Sequence, residues 1–422
     1  LLPDQGGTMD FDLKWDFAEL APGALAVTTA QVGNYHAEVD TETVRSLYFL
    51  AGAIQHQDSP ATPFKIYWIG HPPFDVPQME QWTNKTFNQL QQRFNDPSAG
   101  GYTLLMRPFA LPRDGGGASR GGFMLEFGTG HMSDAARRIM FTHEMVHHFL
   151  GGLDGDSGKN AWYGEGLAEF YKLWVTSKAA SIEVRDLERE LNVMTEAYYE
   201  SPFRNLSMEE AGRQRWANQQ IQTIPYNRGF MYFVDLNDKI VKHSDGKRSL
   251  DDLVLAMLQR RRQGQSYDEA AWRDLLRNEL GESAIMDLNR MLSGETLVPA
   301  EDAFGPCFER TSTTVPRRDL GFDEFSLLVR PRVITSLVPG SAAARAGLEE
   351  GDVVTSFSGV HERIAHSAPN VTLEPSVRLQ VLRDGHPLQI AYSTLGEPVQ
   401  RYRWNLIQSH GAACHFPGQT AN

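Results

Sequence analysis

Short runs in which apolar and polar residues alternate occupy the chain up to about residue 60. The runs FDLKWDF and ALAVTTAQV are typical of this region, and Pro-Gly and Asn turns separate them. Because successive side chains of a strand lie on opposite faces, such alternation predicts half-buried β-strands. These strands are too few to close a β-domain by themselves.

Mixed α/β structure is predicted for the stretch that follows. PFKIYWIG and GYTLLMRPF have the composition of buried strands, and the segment between them has helical spacing. The apolar positions of that helix are Met79, Trp82, Phe87, Leu90 and Phe94. PRDGGGASRGG is rich in turn-forming residues and predicts a flexible loop, and FMLEFG predicts one more strand.

Helical periodicity dominates the middle of the chain. One helix is predicted over residues 133–150, with Ser133 or Asp134 as N-cap and Gly151-Gly152 as its end, and YGEGLAEFYKLWVTSK predicts a second helix. Residues 180–293 carry almost only helical patterns and predict a helical subdomain. A connector, PCFERTSTTVPRRD, leads to short strands between about 318 and 400. The pattern as a whole predicts an α+β protein.

Length and charge narrow the class of protein further. With 422 residues and a mass of 47.3 kDa, the chain is long enough for two or three domains, and 41% hydrophobic residues are enough to build their cores. The net charge of −13 and the absence of any Lys/Arg-rich run disfavour a nucleic-acid partner. No apolar run approaches the roughly 20 residues that a membrane-spanning helix needs.

The sequence FTHEMVHHFLGG places three residues of types that are common in metal sites on the helix predicted over residues 133–150. His143 and His147 are four positions apart and therefore share a helix face, where both rings can bind one metal ion. Glu144 lies beside that face and can act as general base on a metal-bound water. His148 points away from the face, which makes it a packing or supporting residue.

A third ligand is available on the next predicted helix. Glu165 lies near the start of AWYGEGLAEFYKLW and completes a His2Glu set, which leaves a fourth coordination position open for water, as in catalytic zinc sites. Glu169 lies one turn later and can accept the second ring N–H of a ligating histidine. The sequence therefore predicts one catalytic Zn²⁺; the alternative is a degenerate site without metal.

These motifs resemble those of gluzincin metallopeptidases, in which HExxH is followed by a glutamate within WxxEGxAEF. The closest pattern is that of the glycyl aminopeptidase family, which has a thermolysin-like catalytic domain and a C-terminal PDZ domain. The resemblance implies a thermolysin-like domain over residues 61–305. It also implies that residues 1–60 are the C-terminal part of a larger N-terminal β-domain.

The resemblance extends to a second catalytic residue. IPYNRGFMYFVDLNDKIVKHSDGKRSLDDLV is similar to the family's Tyr-x-Lys-Gly segment and the helix and turn after it. Tyr226 takes the position of the phenol that stabilises the oxyanion in related aminopeptidases. Arg228 stands where lysine is usual and is a candidate substrate-binding residue.

The sequence VITSLVPGSAAARAGLEEGDVVTSFSGV resembles the PDZ signature of bacterial proteases and implies a PDZ domain over residues 318–400. Leu320, Gly321 and Phe322 are candidates for its carboxylate-binding loop, so a C-terminal peptide is a possible ligand. Residues 401–422 are expected to form a C-terminal tail.

One part of the family pattern is absent from the sequence. No glutamate directly follows Gly115–Gly117, where the family has the residue that binds the free amine of the substrate. Glu126, in the strand GGFMLEF, is the nearest candidate. That strand, with Gly121 and Gly122, is expected to present its edge to an extended substrate. An aminopeptidase is the first interpretation, and an endopeptidase or a catalytically silent peptide-binding protein are the alternatives.

The two cysteines, and the location that is common among family members, indicate in which compartment the protein is found. Cys307 and Cys414 form one disulfide or are two separate thiols. The chain begins at Leu1 without a recognisable signal peptide, so we expect a fragment or a processed form. Bacterial members of the family are commonly exported, which predicts a periplasmic or secreted protein, with the cytoplasm as the alternative.

Overall fold

The structure is a computed structural model, and it describes residues 7–57, 64–96, 101–110, 114–119, 121–130, 132–178, 182–362 and 371–407. The chain forms two compact units, Leu1–Gly151 and Gly152–Asn422. The fold is α+β, with a helical central region flanked by β regions, as the sequence predicts. The division between the units falls inside the segment predicted as catalytic domain, and the predicted domain limits at residues 60 and 305 stay predictions.

The first unit combines short strands with two long helices. Its elements are β1 (Thr8–Leu13), β2 (Leu25–Thr28), β3 (Tyr35–Asp40), α1 (Thr41–Arg45), β4 (Phe49–Gly52), β5 (Gln55–Gln57), β6 (Phe64–Trp68), α2 (Val76–Arg93), β7 (Tyr102–Pro108), β8 (Gly115–Ser119), β9 (Gly122–Phe127) and α3 (Asp134–Leu150).

A five-stranded sheet forms the centre of this unit, with the strand order β5-β6-β7-β9-β8. The strands β6, β7 and β9 are parallel, whereas β5 and β8 run antiparallel to their neighbours at the two edges. The side chains from Tyr102 to Met106 of the central strand β7 are buried, as expected for a parallel strand covered on both faces. The predicted strands before residue 57 pair as β1 with β3 and β2 with β4.

The prediction of a flexible loop around GGGAS was wrong, because Gly115–Ser119 forms the edge strand β8. A glycine-rich run is a poor strand former, but here close packing requires glycine. Gly116 has a φ of +152°, and a Cβ atom on it would lie 2.0 Å from the carbonyl oxygen of Met124 on β9. Pairing of β8 with β9 therefore depends on the absence of a side chain at Gly116.

Helix α3 begins and ends as the sequence predicts. The Ser133 hydroxyl accepts a hydrogen bond from the N–H of Ala136, and Gly151, with a φ of +61°, follows the last turn. A buried ion pair connects the start of this helix to β8. Nε of Arg137 lies 3.1 Å from Oδ2 of Asp114, with side-chain exposures of 2% and 1%. Asp114 also accepts the N–H of Gly128, so the turn after β9 is held to the same carboxylate.

The second unit is helical in its first part and β-rich in its last part. Its elements are α4 (Ala161–Lys178), α5 (Val184–Tyr199), α6 (Met208–Arg213), α7 (Gln219–Gln222), α8 (Ile224–His243), α9 (Leu250–Arg262), α10 (Glu269–Leu280), α11 (Glu282–Ser293), β10 (Phe308–Arg318), α12 (Phe325–Leu328), α13 (Ala342–Arg345), β11 (Val353–Glu362), β12 (Val371–Arg383), β13 (His386–Ser393) and β14 (Leu395–Leu406).

Helices α4 and α8 approach each other at two glycines. A Cβ atom on Gly166 would lie 2.6 Å from the backbone of Gly229, and one on Gly229 would lie 2.3 Å from the carbonyl oxygen of Trp162. Residues with side chains cannot fit at this contact, so the two backbones come unusually close. Glu165 precedes one glycine and Tyr226 lies one turn before the other, which places both near this contact.

The β-rich part contains a three-stranded antiparallel sheet, β11-β12-β13, over a core that includes Leu320, Phe322, Ile334 and Leu379. RVITSLV, predicted as a strand, makes only an isolated bridge from Val333 to Val353. The predicted connector after Cys307 was wrong, because Phe308–Arg318 is the strand β10 and pairs with β14. The predicted tail was also wrong for residues 401–406, which belong to β14.

Strand pairing explains both errors. Strand β14 is polar along much of its length, yet its N–H and C=O groups are satisfied by β10 and by α5. Asn192 of α5, for example, exchanges two hydrogen bonds with the backbone of Trp404. Such pairing between distant segments leaves no periodic signal in the sequence. Residues 408–422 of the predicted tail lie outside the described residues.

Cys307 is 1% exposed and disulfide-bonded. The chain contains one other cysteine, Cys414, which lies outside the described residues. Within the described part of the chain, no helix combines the length and the apolar character that crossing a bilayer requires.

Candidate metal centre

Two histidines of α3 direct their rings at the same point. The Nε2 atoms of His143 and His147 are 3.1 Å apart, and the ring planes are inclined by 79°. Two nitrogens bound to one tetrahedral zinc at about 2.0–2.1 Å would be roughly 3.3 Å apart. The spacing of the rings therefore fits a shared zinc ion, as the HExxH pattern predicts.

Glu165, near the start of α4, completes the set. The ligand atoms of His143, His147 and Glu165 all lie within 4.8 Å of one another. Two imidazoles and one carboxylate are the donor set of open, catalytic zinc sites. The donors that the sequence predicts are thus brought together, and their chemistry fits Zn²⁺.

Glu144, the predicted general base, is 8% exposed and lies among aromatic residues of the first unit. Its negative charge affects the pKa of two phenols. Burial raises the pKa of Tyr48, and the charges of Glu144 and Glu126 raise it further. Burial and the charge of Glu144 likewise raise the pKa of Tyr102 well above its usual range. Both tyrosines therefore stay protonated beside this carboxylate.

A pocket of about 450 Å³ lies along the edge strand β8. Its lining is formed by Tyr48, Phe49, Arg107, Gly116, Gly117, Met124 and Glu126. Glu126 forms an ion pair with Arg107, and its side chain is 20% exposed. The Tyr48 hydroxyl lies so close to β8 that a Cβ atom on Gly117 would be 2.8 Å from it. Glycine at position 117 thus leaves room for this phenol in the pocket.

The glycines predicted to bind substrate have other surroundings. Strand β9 has β7 on one side and β8 on the other, so the prediction that it offers a free edge was wrong. A Cβ atom on Gly122 would lie 2.1 Å from the carbonyl oxygen of Thr103, and Gly121, with a φ of +80°, forms the turn before β9. The edge that the described sheet offers beside Glu126 belongs to β8.

Arg215 connects Glu165 to Tyr226 within the second unit. Its Nη2 atom donates a hydrogen bond of 2.9 Å to Oε1 of Glu165. Burial would lower the pKa of this guanidinium, but Glu165 and Tyr226 raise it. Tyr226 lies in the first turn of α8, after Pro225. The predicted metal ligand and the predicted oxyanion residue therefore share one guanidinium partner, which sequence reasoning did not identify.

Arg228, predicted as a substrate-binding residue, is fully buried. Its guanidinium donates to the backbone carbonyls of Arg204 and Leu206. Burial lowers its pKa, and the interaction with Tyr198 offsets part of this shift. These contacts hold the chain before α6 against α8 and leave the guanidinium inaccessible to a substrate.

Glu169 is fully buried and lies 2.6 Å from Nζ of Lys172, which also contacts Glu190 at 2.9 Å. Burial alone would lower the pKa of Lys172, but the charges of Glu169 and Glu190 raise it above its usual value. The lysine therefore stays charged between two carboxylates. The predicted hydrogen bond from Glu169 to a ligating histidine stays a prediction.

His148 packs among aromatic rings, as one of its two predicted roles requires. Its ring centroid lies 5.3 Å from that of Tyr102 and 5.5 Å from that of Phe87. The T-shaped contact with Tyr102 joins α3 to the central strand β7.

The predicted carboxylate-binding loop of the C-terminal module is largely engaged in internal contacts. Leu320 and Phe322 are 0% and 2% exposed. The N–H of Gly321 donates to Oδ1 of Asp319, and the carbonyl of Leu320 accepts the hydroxyl of Tyr392. The role of these residues in peptide binding stays a prediction.

Solved structures share this architecture. An aminopeptidase N family protein from Idiomarina loihiensis matches it with a TM-score of 0.66 and 14% sequence identity, over 92% of this chain and 76% of that protein. This chain has the fold of an aminopeptidase N family protein. The match confirms the expected architecture at the level of the fold.

Two further structures align less completely with this aminopeptidase N-like fold. An M1 zinc metallopeptidase from Deinococcus radiodurans, solved with a Tyr-Ser-Ala substrate, aligns with a TM-score of 0.45 and 16% identity, over 65% of this chain and 62% of that one. Native yeast LTA4 hydrolase aligns with a TM-score of 0.47 and 15% identity, over 69% and 47%. No protein-family profile and no curated protein sequence matches the chain.

Proposed function

We propose that this protein is a zinc-dependent metallopeptidase of the gluzincin type, with a thermolysin-like catalytic domain, that acts as an aminopeptidase. The observation that carries the proposal is the convergence of His143, His147 and Glu165, whose ligand atoms lie within 4.8 Å of one another. Glu144 follows the first of these ligands on α3, where a general base is needed.

Each residue has a separate task in peptide hydrolysis. His143, His147 and Glu165 would hold the metal, which when bound polarises the scissile carbonyl and the attacking water. Glu144 takes the proton of that water and passes it to the leaving amine. The phenol of Tyr226 donates a hydrogen bond to the oxygen that becomes negative as the carbonyl is attacked.

Recognition of a free amino terminus is assigned to Glu126. Its carboxylate lines the pocket along β8, and its charge acts on Tyr48, as does that of Glu144. An ammonium group placed there can pair with Glu126 in exchange for Arg107, whose side chain is 54% exposed and returns readily to water. The edge strand β8 of the described sheet can bind the backbone of the same substrate.

A comparison of peptides with free and acetylated amino termini tests this assignment. We expect stepwise removal of residues from free peptides and little cleavage of acetylated ones. The Glu126→Gln variant should lose about 10–150-fold in kcat/KM on free peptides, since a hydrogen bond to a charged group is worth about 1.5–3 kcal/mol. Mass spectrometry of a digested peptide library measures both quantities.

Glu38→Gln provides the control for this variant, because Glu38 is an exposed strand residue of the same unit, on β3. It should cleave like the wild type. Internal cleavage of free and acetylated peptides at equal rates would instead identify an endopeptidase. Peptide binding without any turnover would identify a catalytically silent binding protein.

Two further proposals concern the rest of the protein. The β-rich module that follows β10 is proposed to be a PDZ-like domain for C-terminal peptides, supported by its own hydrophobic core and by the positive φ of +84° at Gly321. Export to the periplasm or medium is supported by the disulfide bond of Cys307, since disulfides persist in oxidising compartments.

A further inference from the structure

Arg215 lies in the segment Gln214–Asn218, between α6 and α7, and reaches into the proposed site from there. Nη2 of Arg215 donates to Oε1 of Glu165 over 2.9 Å, with side-chain exposures of only 18% and 13%. The same guanidinium interacts electrostatically with Tyr226. One residue of the second unit thus acts on both a proposed zinc ligand and the proposed oxyanion residue.

The backbone of this segment is held by contacts that do not involve the Arg215 side chain. The carbonyl of Ala217 accepts the Ser336 hydroxyl, and the N–H of Gln219 donates to Asp323 at 3.4 Å. The Asn218 side chain caps α7. Substitution of Arg215 therefore removes the side-chain contacts with Glu165 and with the ring of Trp216 and leaves the backbone anchored.

We propose that Arg215 is a positioning residue for peptide hydrolysis. It restrains the carboxylate of Glu165 through Oε1 in the orientation that presents it to the metal. This inference rests on the proposed function, because it assigns Arg215 a role only if Glu165 binds zinc.

Three variants of the full chain test the proposal. In Arg215→Gln, zinc affinity and kcat should each fall about 10–100-fold, the effect typical of removing a residue that orients metal ligands, with little change in KM. Arg215→Lys retains the charge but not the two-pronged geometry and should recover part of both losses. In Arg215→Ala, added guanidinium ion should partly restore kcat.

Arg213→Gln is the matched control, because Arg213 lies two residues away with a side chain that is 67% exposed. It should bind zinc and turn over peptides like the wild type. Zinc affinity is measured by competition with a chelator, a readout that does not depend on activity. If Arg215→Gln does not fold, zinc affinity and kcat of Arg215→Lys still test the proposal.

The outcomes separate the two proposals. A wild-type protein that binds no zinc or cleaves no peptide overturns the proposed function itself. A wild-type enzyme with zinc and activity, beside Arg215 variants whose zinc affinity and kcat match those of Arg213→Gln, overturns only the role of Arg215. Loss of kcat without loss of zinc affinity overturns the contribution through Glu165.

Discussion

The substitution Glu144→Gln is expected to lower kcat by about 10²–10⁴-fold, the usual contribution of a general acid–base group. Glutamine has nearly the same shape as glutamate but cannot take up the proton of the attacking water. Glu144 is not among the proposed metal ligands, so zinc should bind the variant as it binds the wild type. Steady-state kinetics and metal analysis of the same sample measure both effects.

A buried glutamate elsewhere in the first unit controls for the loss of a charge. Glu80 on α2 is 4% exposed, and burial raises its pKa. Glu80→Gln should leave kcat within about two-fold of the wild type, because its carboxylate takes no part in the proposed proton transfer. Full activity of Glu144→Gln would remove Glu144 from the mechanism, and loss of zinc in that variant would show that its effect is structural.

The substitution Asp114→Ala is expected to destabilise the protein by about 3–5 kcal/mol, the cost of removing the buried partner of a buried charge. Asp114 and Arg137 are 1% and 2% exposed in their side chains, and Arg137 also lies over the ring of Phe74 at 4.2 Å. The N–H of Gly128 loses its acceptor at the same time. Denaturant unfolding followed by circular dichroism measures the change.

The second carboxylate partner of Arg137 provides the comparison. Asp134 lies 3.1 Å from Nη1 of Arg137, but its side chain is 58% exposed. Asp134→Ala should cost only about 0–1 kcal/mol, as exposed ion pairs usually do. Equal losses of stability in the two variants would mean that the buried Asp114–Arg137 pair stabilises the protein no more than the exposed Asp134–Arg137 pair does.

The helices and the metal donors were predictable because their signals are local. Helix α3 has a serine N-cap, a glycine at its end and an apolar face, and each appears in the sequence at the expected spacing. The spacing of His143 and His147 follows from helix geometry alone. Glu165 was predictable as a third ligand from its place at the start of the next predicted helix, and the structure brings its carboxylate to the two histidines.

The remaining parts of the site depend on contacts between distant segments. Strand β8 consists largely of glycine, which predicts a loop unless its pairing with β9 is known. Tyr48 is far from the HExxH helix in the sequence, and no local pattern connects its phenol to Glu144 or Glu126. Arg215 lies in an irregular segment without periodicity. The only sequence signal near it is Gly166 in EGxAEF, a glycine inside a helix that marks the close contact with α8.

Titration of metal-free protein with Zn²⁺ tests the central proposal most directly. The chain, freed of metal by a chelator, should cleave no peptide, and activity should return in proportion to added Zn²⁺ until one ion is bound per chain. The variant Glu165→Gln should bind zinc more weakly and need a higher concentration for the same activity, because a neutral amide replaces a charged ligand. Peptide cleavage that persists in the metal-free chain, or tight zinc binding that never restores cleavage, would disprove the assignment of this protein as a zinc peptidase.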